Sequence, residues 1–302
     1  MCIILYKKIA DKVFLIKNRD LNYIPNIFII HELINGTEVV YLRDTITEWV
    51  EGMNEHKIGI INASLDLGVN VSDNIDYQTD ESNKLESKNK YLNLLSKSNI
   101  LDIIFELSDS EYYLDFNFQG NTIISSSLSD KNNKSPELSV HFESKIGYNL
   151  HITPIINTNT YVCTNHGYKI RENCKFHGSR IISSVLRNII AEYEVSDDSE
   201  QNSDLLLDKL SKNYEDTNLH ISYHPYRLTT TGQLKLNLTD LIFVYKYNSN
   251  KSKFNGIINN LPKNYSPKIK IILEERYKDK HYSDLPCDKD KINYFIDLYS
   301  KK

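Results

Sequence analysis

Cysteine is scarce in this chain: four residues in 302, Cys2, Cys163, Cys174 and Cys287, with no CxxC pair. Such spacing argues against a disulfide framework. Cys163 and Cys174 lie close in sequence to His166 and His177, but the intervals match no common zinc pattern. No metal and no cofactor is therefore expected. Glycine, proline, alanine and tryptophan are also few, while Asn, Ile, Lys and Tyr are abundant. That bias reads as AT-rich coding and carries no information about activity. No apolar stretch approaches the about 18 residues of a membrane span, and Lys7, Lys8, Asp11 and Lys12 interrupt any signal-peptide pattern. A cytoplasmic protein is the expectation. The net charge of -4 gives no electrostatic reason for nucleic acid or an anionic membrane to be a partner. Several Asn-x-Ser/Thr triplets, among them Asn35-Gly36-Thr37 and Asn237-Leu238-Thr239, follow from frequent Asn and carry little weight.

What is present suffices for a globular protein, since 40% hydrophobic residues over this length can bury a sizeable core. The first 62 residues are strand-rich. Ile3 to Tyr6, Val13 to Ile16, Ile27 to Ile30, Val39 to Leu42 and Ile58 to Ile61 are short apolar or β-branched runs separated by turn formers such as Asn35-Gly36. Residues 66–90 are polar and patternless and read as a loop or insertion. Leu92, Leu95, Leu101, Ile104 and Leu107 keep an apolar face on one or two helices. Strands follow at 113–118, 121–125, 138–142, 150–156 and 161–164, then a helix at 179–193 with Ile182, Val185, Leu186, Ile189 and Ile190 on one stripe. A shorter helix at 205–210, strands at 233–238, 241–247 and 269–273, and a closing helix near 292–299 complete an α+β pattern. The lysines near 246–270 read as a solvated surface around a loop containing Pro262 and Pro267. His220 and His224 stand four apart, but Pro225 favours an extended segment over a ligand-bearing helix.

The residue of greatest chemical interest is Cys2. Removal of Met1 would leave a thiol and a free α-amino group on one residue, and their ordinary pKa values, about 8.5 and about 7.7–8.0, let the amine take the thiol proton near neutral pH. Three further clusters accompany it. Lys17-Asn18-Arg19-Asp20 follows the second strand. Gly52-Met53-Asn54-Glu55 precedes Ile58-Gly59-Ile60-Ile61-Asn62, a strand ending on an amide. Cys163-Thr164-Asn165-His166-Gly167 ends another strand on a second amide, and Arg180 opens the helix after it. Taken singly, each has a bland explanation as a turn, a salt bridge or a core histidine.

Taken together and in this order, Met-Cys, Asn-Arg-Asp, Gly-Met-Asn-Glu with Ile-Gly-Ile-Ile-Asn, and Thr-Asn-His-Gly with a Ser-Arg helix, the chain resembles the choloylglycine hydrolase and penicillin V acylase superfamily. In texture it is most similar to the isopenicillin-N acyltransferase-like branch. The resemblance spans about residues 2–62 and 160–195 and, more loosely, the strand start at 229–233. These are N-terminal nucleophile hydrolases. The resemblance implies a single domain over 1–302, a four-layer αββα sandwich of antiparallel sheets, interrupted by the polar insertion at 66–90.

The same resemblance implies roles. Cys2 would be the nucleophile, with its own amine as proton shuttle, and Arg19 would favour the thiolate through a fixed positive charge. Asp20 would bind the α-amino group or orient Arg19, although the family's Gly-Arg-Asn-x-Asp order leaves Asn18 as an alternative partner. Asn62 and Asn165 would help form the oxyanion hole, Arg180 would complete the polar network, and His166 would touch substrate. Tyr23, Ile24, Pro25 and Trp49 would supply apolar surface to the substrate or belong to the core. The implied reaction cleaves the amide of a small acylated amine through a thioester on Cys2, with acyl transfer as a second outcome. A homo-oligomer is open, as relatives assemble as dimers or tetramers. A glutaminase of amidotransferase type and a non-catalytic binding relative are the alternatives.

Overall fold

The structure, a computed structural model, describes residues 2–21, 23–64, 81–108, 120–127, 136–144, 150–165, 167, 188, 191, 192, 195, 229–250 and 252–275. The polypeptide begins as a hairpin of β1 (Cys2–Ile9) and β2 (Lys12–Leu21), and continues as a meander of β3 (Asn26–Ile34), β4 (Thr37–Asp44), β5 (Trp49–Asn54) and β6 (Ile58–Ala63). The predicted Asn35-Gly36 turn joins β3 to β4. Both residues have positive φ, 52° and 80°, as a two-residue hairpin turn matched to strand twist requires. After α1 (Glu81–Leu95) and α2 (Ile100–Ser108) come β7 (Gly120–Ser126), β8 (Leu138–Ser144), β9 (His151–Pro154), β10 (Thr160–Cys163), β11 (Thr229–Asn237), β12 (Ile242–Tyr247), β13 (Lys253–Asn259) and β14 (Lys270–Glu275).

These strands form two sheets. One runs β10-β1-β2-β11-β12-β14 and the other β13-β3-β4-β5-β6-β7-β8-β9. Neighbours are antiparallel except β12 with β14 and β13 with β3, which are parallel. Residues 155–159 and 260–269 carry the chain from an edge strand of the larger sheet to an edge strand of the smaller one. The second connection is fastened to β4: the buried Glu38 carboxylate accepts the Lys268 and Ile269 amides at 2.9 Å.

Alternation along the strands builds the layers. Cys2, Ile4 and Tyr6 of β1 and Val13 and Leu15 of β2 face a core shared with Ile27, Ile29, Val40, Leu42, Met53 and Ile61 of the other sheet. Ile3, Leu5, Phe14 and Ile16 face the opposite way and pack with Val162 and with helical Ala191 and Val195. Lys7 pins that outer layer, its Nζ donating to the Val195 carbonyl at 2.9 Å and to Thr160 Oγ1 at 2.7 Å. On the far side, Ile58, Ile60 and Ile124 meet Tyr91, Leu94 and Leu95 of α1 and Ile100, Ile103 and Leu107 of α2. Helix, sheet, sheet, helix is the αββα order. Each fully buried Leu or Ile in it contributes about 1.5–3 kcal/mol relative to exposure. Among the described residues no helix is long and apolar enough to cross a membrane.

Three sequence expectations are corrected. The polar segment 66–90 is not all loop, because α1 starts at Glu81. Its buried apolar anchors, Tyr91, Leu94 and Leu95, fall only in the last turns, and the earlier part carries a Lys90–Glu86 pair one turn apart and a Lys88–Glu48 pair at 3.7 Å. The supposed loop surface at 246–270 contains β13, an exposed edge strand whose Gly256 has φ 111°. Lys17-Asn18-Arg19-Asp20 lies within β2 and not after it. The expected elements at 113–118, 205–210 and 292–299, His220 and His224, and most of the helix at 179–193 lie outside the described residues.

Gly52 is required where β5 passes β4. A Cβ there would stand 2.3 Å from the Val40 carbonyl oxygen and 2.8 Å from the Tyr41 Cα, both backbone atoms that cannot rotate away. Gly52→Ala should destabilise the protein by about 1–3 kcal/mol in urea unfolding, and an unchanged midpoint would refute this account of the crossing.

Candidate active site

The β1–β2 register sets Cys2 directly opposite Arg19. Both side chains are buried, and alternation turns both toward the space between the sheets. On the other flank of β1, the chain leaving β10 brings Asn165 to the same point. The Cys2 nitrogen donates to Asn165 Oδ1 at 2.7 Å. The Asn165 amide nitrogen in turn donates to the Ser64 carbonyl at 2.6 Å and to Ser64 Oγ at 2.9 Å. Ser64 follows β6, two residues beyond Asn62, so one asparagine ties the start of β1 to the end of β6.

Asn165 is itself held from behind. Asn121 Nδ2 donates to the Thr164 carbonyl at 2.6 Å, which turns Asn121 Oδ1 toward His141 Nε2 at 3.1 Å. That oxygen can only accept, so Nε2 carries the proton and Nδ1 accepts from the Tyr161 hydroxyl at 3.0 Å. Burial pushes the Tyr161 hydroxyl pKa up, and the nearby Cys163 adds to the effect. Burial likewise pushes the Cys163 thiol well above its ordinary value, despite its contact with Tyr161. Cys163 is thus a neutral packing residue.

Arg19 stands among anions. Nη1 is 3.8 Å from Asp44 Oδ2 and Nη2 is 3.9 Å from Glu51 Oε1, while Nε and Nη1, although buried, make no hydrogen bond among the described residues. Burial opposes the charge, but the Asp44 carboxylate first, and then Tyr23, Tyr245 and Cys2, outweigh it and hold the guanidinium more firmly protonated than usual. Asp44 organises the neighbouring loops. It accepts the Tyr23 hydroxyl at 2.8 Å, the Ile46 amide at 3.2 Å and the Asn26 amide at 3.3 Å. Burial raises the Tyr23 hydroxyl pKa, with Arg19 pulling the other way.

Asn62 sits where β5 and β6 part. These strands pair only at Gly52–Ile60 and Met53–Gly59, and beyond that the Asn62 side chain takes over, its Nδ2 donating to the Val50 carbonyl at 3.2 Å. Its Oδ1 accepts from Lys17 Nζ at 3.3 Å. Lys17, on the same face of β2 as Arg19, is ion-paired with Glu51, and its ammonium lies 5.7 Å from the centre of the Trp49 ring. Lys17, Glu51 and Asp44 are each no more than 1% exposed. Burying such charges costs several kcal/mol per ion unless they are mutually paired.

Of the residues singled out in the sequence, Cys2, Arg19 and Asn165 are brought together, and Tyr23 and Trp49 border the charged cluster around Arg19 and Lys17. Asn18 is a correction. It faces away from Cys2, opposite Ile3, and accepts from Gln233 Nε2 at 2.7 Å. Asp20 lies in β2 next to Arg19, with its side chain outside the described residues, as are His166 and Arg180. Sequence reasoning missed Lys17, Asp44 and Glu51 as members of the site. For Lys17 the signal existed, since Val13, Leu15, Lys17 and Arg19 alternate onto one face. For the two acids it did not. Among the described residues no group of three or more His, Cys, Asp and Glu side chains could hold a metal.

No family model and no curated protein matches the chain. Solved structures similar to it include two variants of conjugated bile acid hydrolase from Clostridium perfringens. They are 13% and 14% identical, with a TM-score of 0.47 each, over 82% of this chain and 89% of that one. Penicillin V acylase from Agrobacterium tumefaciens is 11% identical, with a TM-score of 0.47 over 82% of this chain and 86% of that one.

Asp44→Asn would set an amide against a guanidinium and three N–H or O–H donors in a buried place. The expected cost is about 3–5 kcal/mol in urea unfolding, as for one partner removed from a buried pair. A variant as stable as the parent would show that Asp44 is not what holds the loops around Arg19.

Proposed function

We propose that this chain is a cysteine amidohydrolase that cleaves the C–N amide bond of a small acylated amine through a thioester on Cys2. The observation that carries the proposal is the placement of one residue: the Cys2 nitrogen is held at 2.7 Å by Asn165, and a buried guanidinium with donors to spare lies opposite on β2. Once Met1 is removed that nitrogen is an amine and can act as a base. With Met1 attached it is an amide and cannot.

The thiol proton passes to the amine, and the thiolate attacks the substrate carbonyl. A sulfur–carbon bond forms as the carbonyl electron pair moves to oxygen. The ammonium then protonates the leaving nitrogen as the C–N bond breaks, giving a thioester and a free amine. Water attacks the thioester, the carbon–sulfur bond breaks, and the acid and the thiol are released. Arg19 favours the thiolate. Asn165 holds the amine through Oδ1, its own N–H groups being given to Ser64. Asn62 has a second N–H beyond the one that Val50 takes, and this donates to the oxyanion. The resemblance assigns Asp20 and Arg180 to the amine and His166, Tyr23 and Trp49 to the substrate, and the proposal takes those roles over. If an amine captures the acyl group before water does, the same site transfers it, as the isopenicillin-N acyltransferase-like texture of the sequence suggests.

Cys2→Ala should abolish turnover of a panel of N-acyl amino acids, tested beside glutamine, while leaving thermal unfolding unchanged. Intact-mass analysis of the active protein should show loss of Met1 and one acyl adduct that maps to Cys2. Retention of Met1 in an active preparation would overturn the proposed base. Asn165→Ala should reduce kcat/KM by up to about 10²–10⁴, the contribution of a positioned proton-transfer group, since the amine loses the acceptor that holds it.

A further inference from the structure

Between the sheets, Lys17 and Glu51 form a buried ion pair that the reaction scheme above does not use. For stability alone, two well-packed hydrophobic side chains in place of such a pair are often as good or better. The pair has a second connection at each end. Lys17 Nζ donates to Asn62 Oδ1 at 3.3 Å, and Glu51 Oε1 lies 3.9 Å from Arg19 Nη2. An ammonium can only donate, so it admits only the oxygen of the Asn62 amide, and Nδ2 must point the other way. In the opposite flip, two N–H groups would face a buried cation, and the Val50 carbonyl would lose its donor.

We infer that Lys17, held by Glu51, is the positioning residue for Asn62, fixing the amide in the one orientation that offers an N–H to the oxyanion. This rests on the acyl-transfer chemistry proposed for Cys2 and names a residue that chemistry needs. In this reading Lys17 acts through Asn62 and not on the thiol or the substrate directly. It supplies a fixed charge that settles which way a symmetric-looking amide faces before any substrate arrives, as preorganised oxyanion donors require. The site therefore extends one strand position further along β2 than the Asn-Arg-Asp motif, and its two cations have separate tasks: Arg19 for the sulfur, Lys17 for the carbonyl oxygen.

Two reagents separate those tasks. Iodoacetamide alkylates sulfur by displacing iodide and builds no oxyanion, whereas a p-nitrophenyl ester acylates sulfur through a tetrahedral oxyanion and releases p-nitrophenol. In Lys17→Met, and in Lys17→Met/Glu51→Gln, which removes the charge left behind, alkylation of Cys2 reads any change at the thiol and is the reference against which acylation is scored. Acylation should fall by about 10²–10³, the loss expected for an oxyanion donor. Adding Lys17→Met to Asn62→Ala should cause little further loss, since both changes remove one interaction. Peptide mapping assigns each adduct to Cys2, and a thermal melt of the double variant near wild type excludes misfolding as the cause.

Equal loss in both reactions would place Lys17 at the thiol and overturn the inference, as would full acylation in the variants or additive losses with Asn62→Ala. Failure of the wild-type protein to react at Cys2 with either reagent would instead overturn the proposed function itself.

Discussion

Everything at the candidate site depends on the register of the first hairpin. A strand repeats every two residues, so a slip of one position between β1 and β2 would put Arg19 on the far face and leave Asn18 beside the sulfur. Packing forbids the slip. Cys2, Ile4 and Tyr6 belong to the core between the sheets, and Ile3 and Leu5 belong to the separate layer formed with Val162, Ala191 and Val195. Two hydrophobic faces pinned at once hold the one register that aligns thiol and guanidinium, so the geometry at the first strand position is fixed by apolar contacts further along the strand.

The buried charges are the second constraint. Lys17 and Arg19 from one sheet meet Glu51 and Asp44 from the other. They join the sheets where the hydrocarbon core gives way to polar groups. Removing any one leaves its partner charged and dry. Such a cluster resists gradual substitution, and it ties the two sheets together beside Cys2.

Much of this was legible in the sequence and part was not, for identifiable reasons. The strands β1 to β4 declare themselves through β-branched alternation and the Asn35-Gly36 turn, and Cys2, Arg19, Asn62 and Asn165 stand out by residue type at strand ends. β5 escaped because Glu51 occupies an inward position where a hydrophobic residue is expected, so the alternation that marks a strand is broken by a residue of the site itself. The first half of α1 escaped because its buried apolar anchors, Tyr91, Leu94 and Leu95, all lie in the second half. Asp44 and Glu51 could not be found, as their importance lies in side chains from a different sheet, a relation that local spacing does not encode.

The two edge-to-edge connections, 155–159 and 260–269, have a geometric consequence. Each sheet is laced to the other along both long borders, and on one of them the lacing is knotted by Glu38. A sandwich closed in this way cannot part sideways like a book.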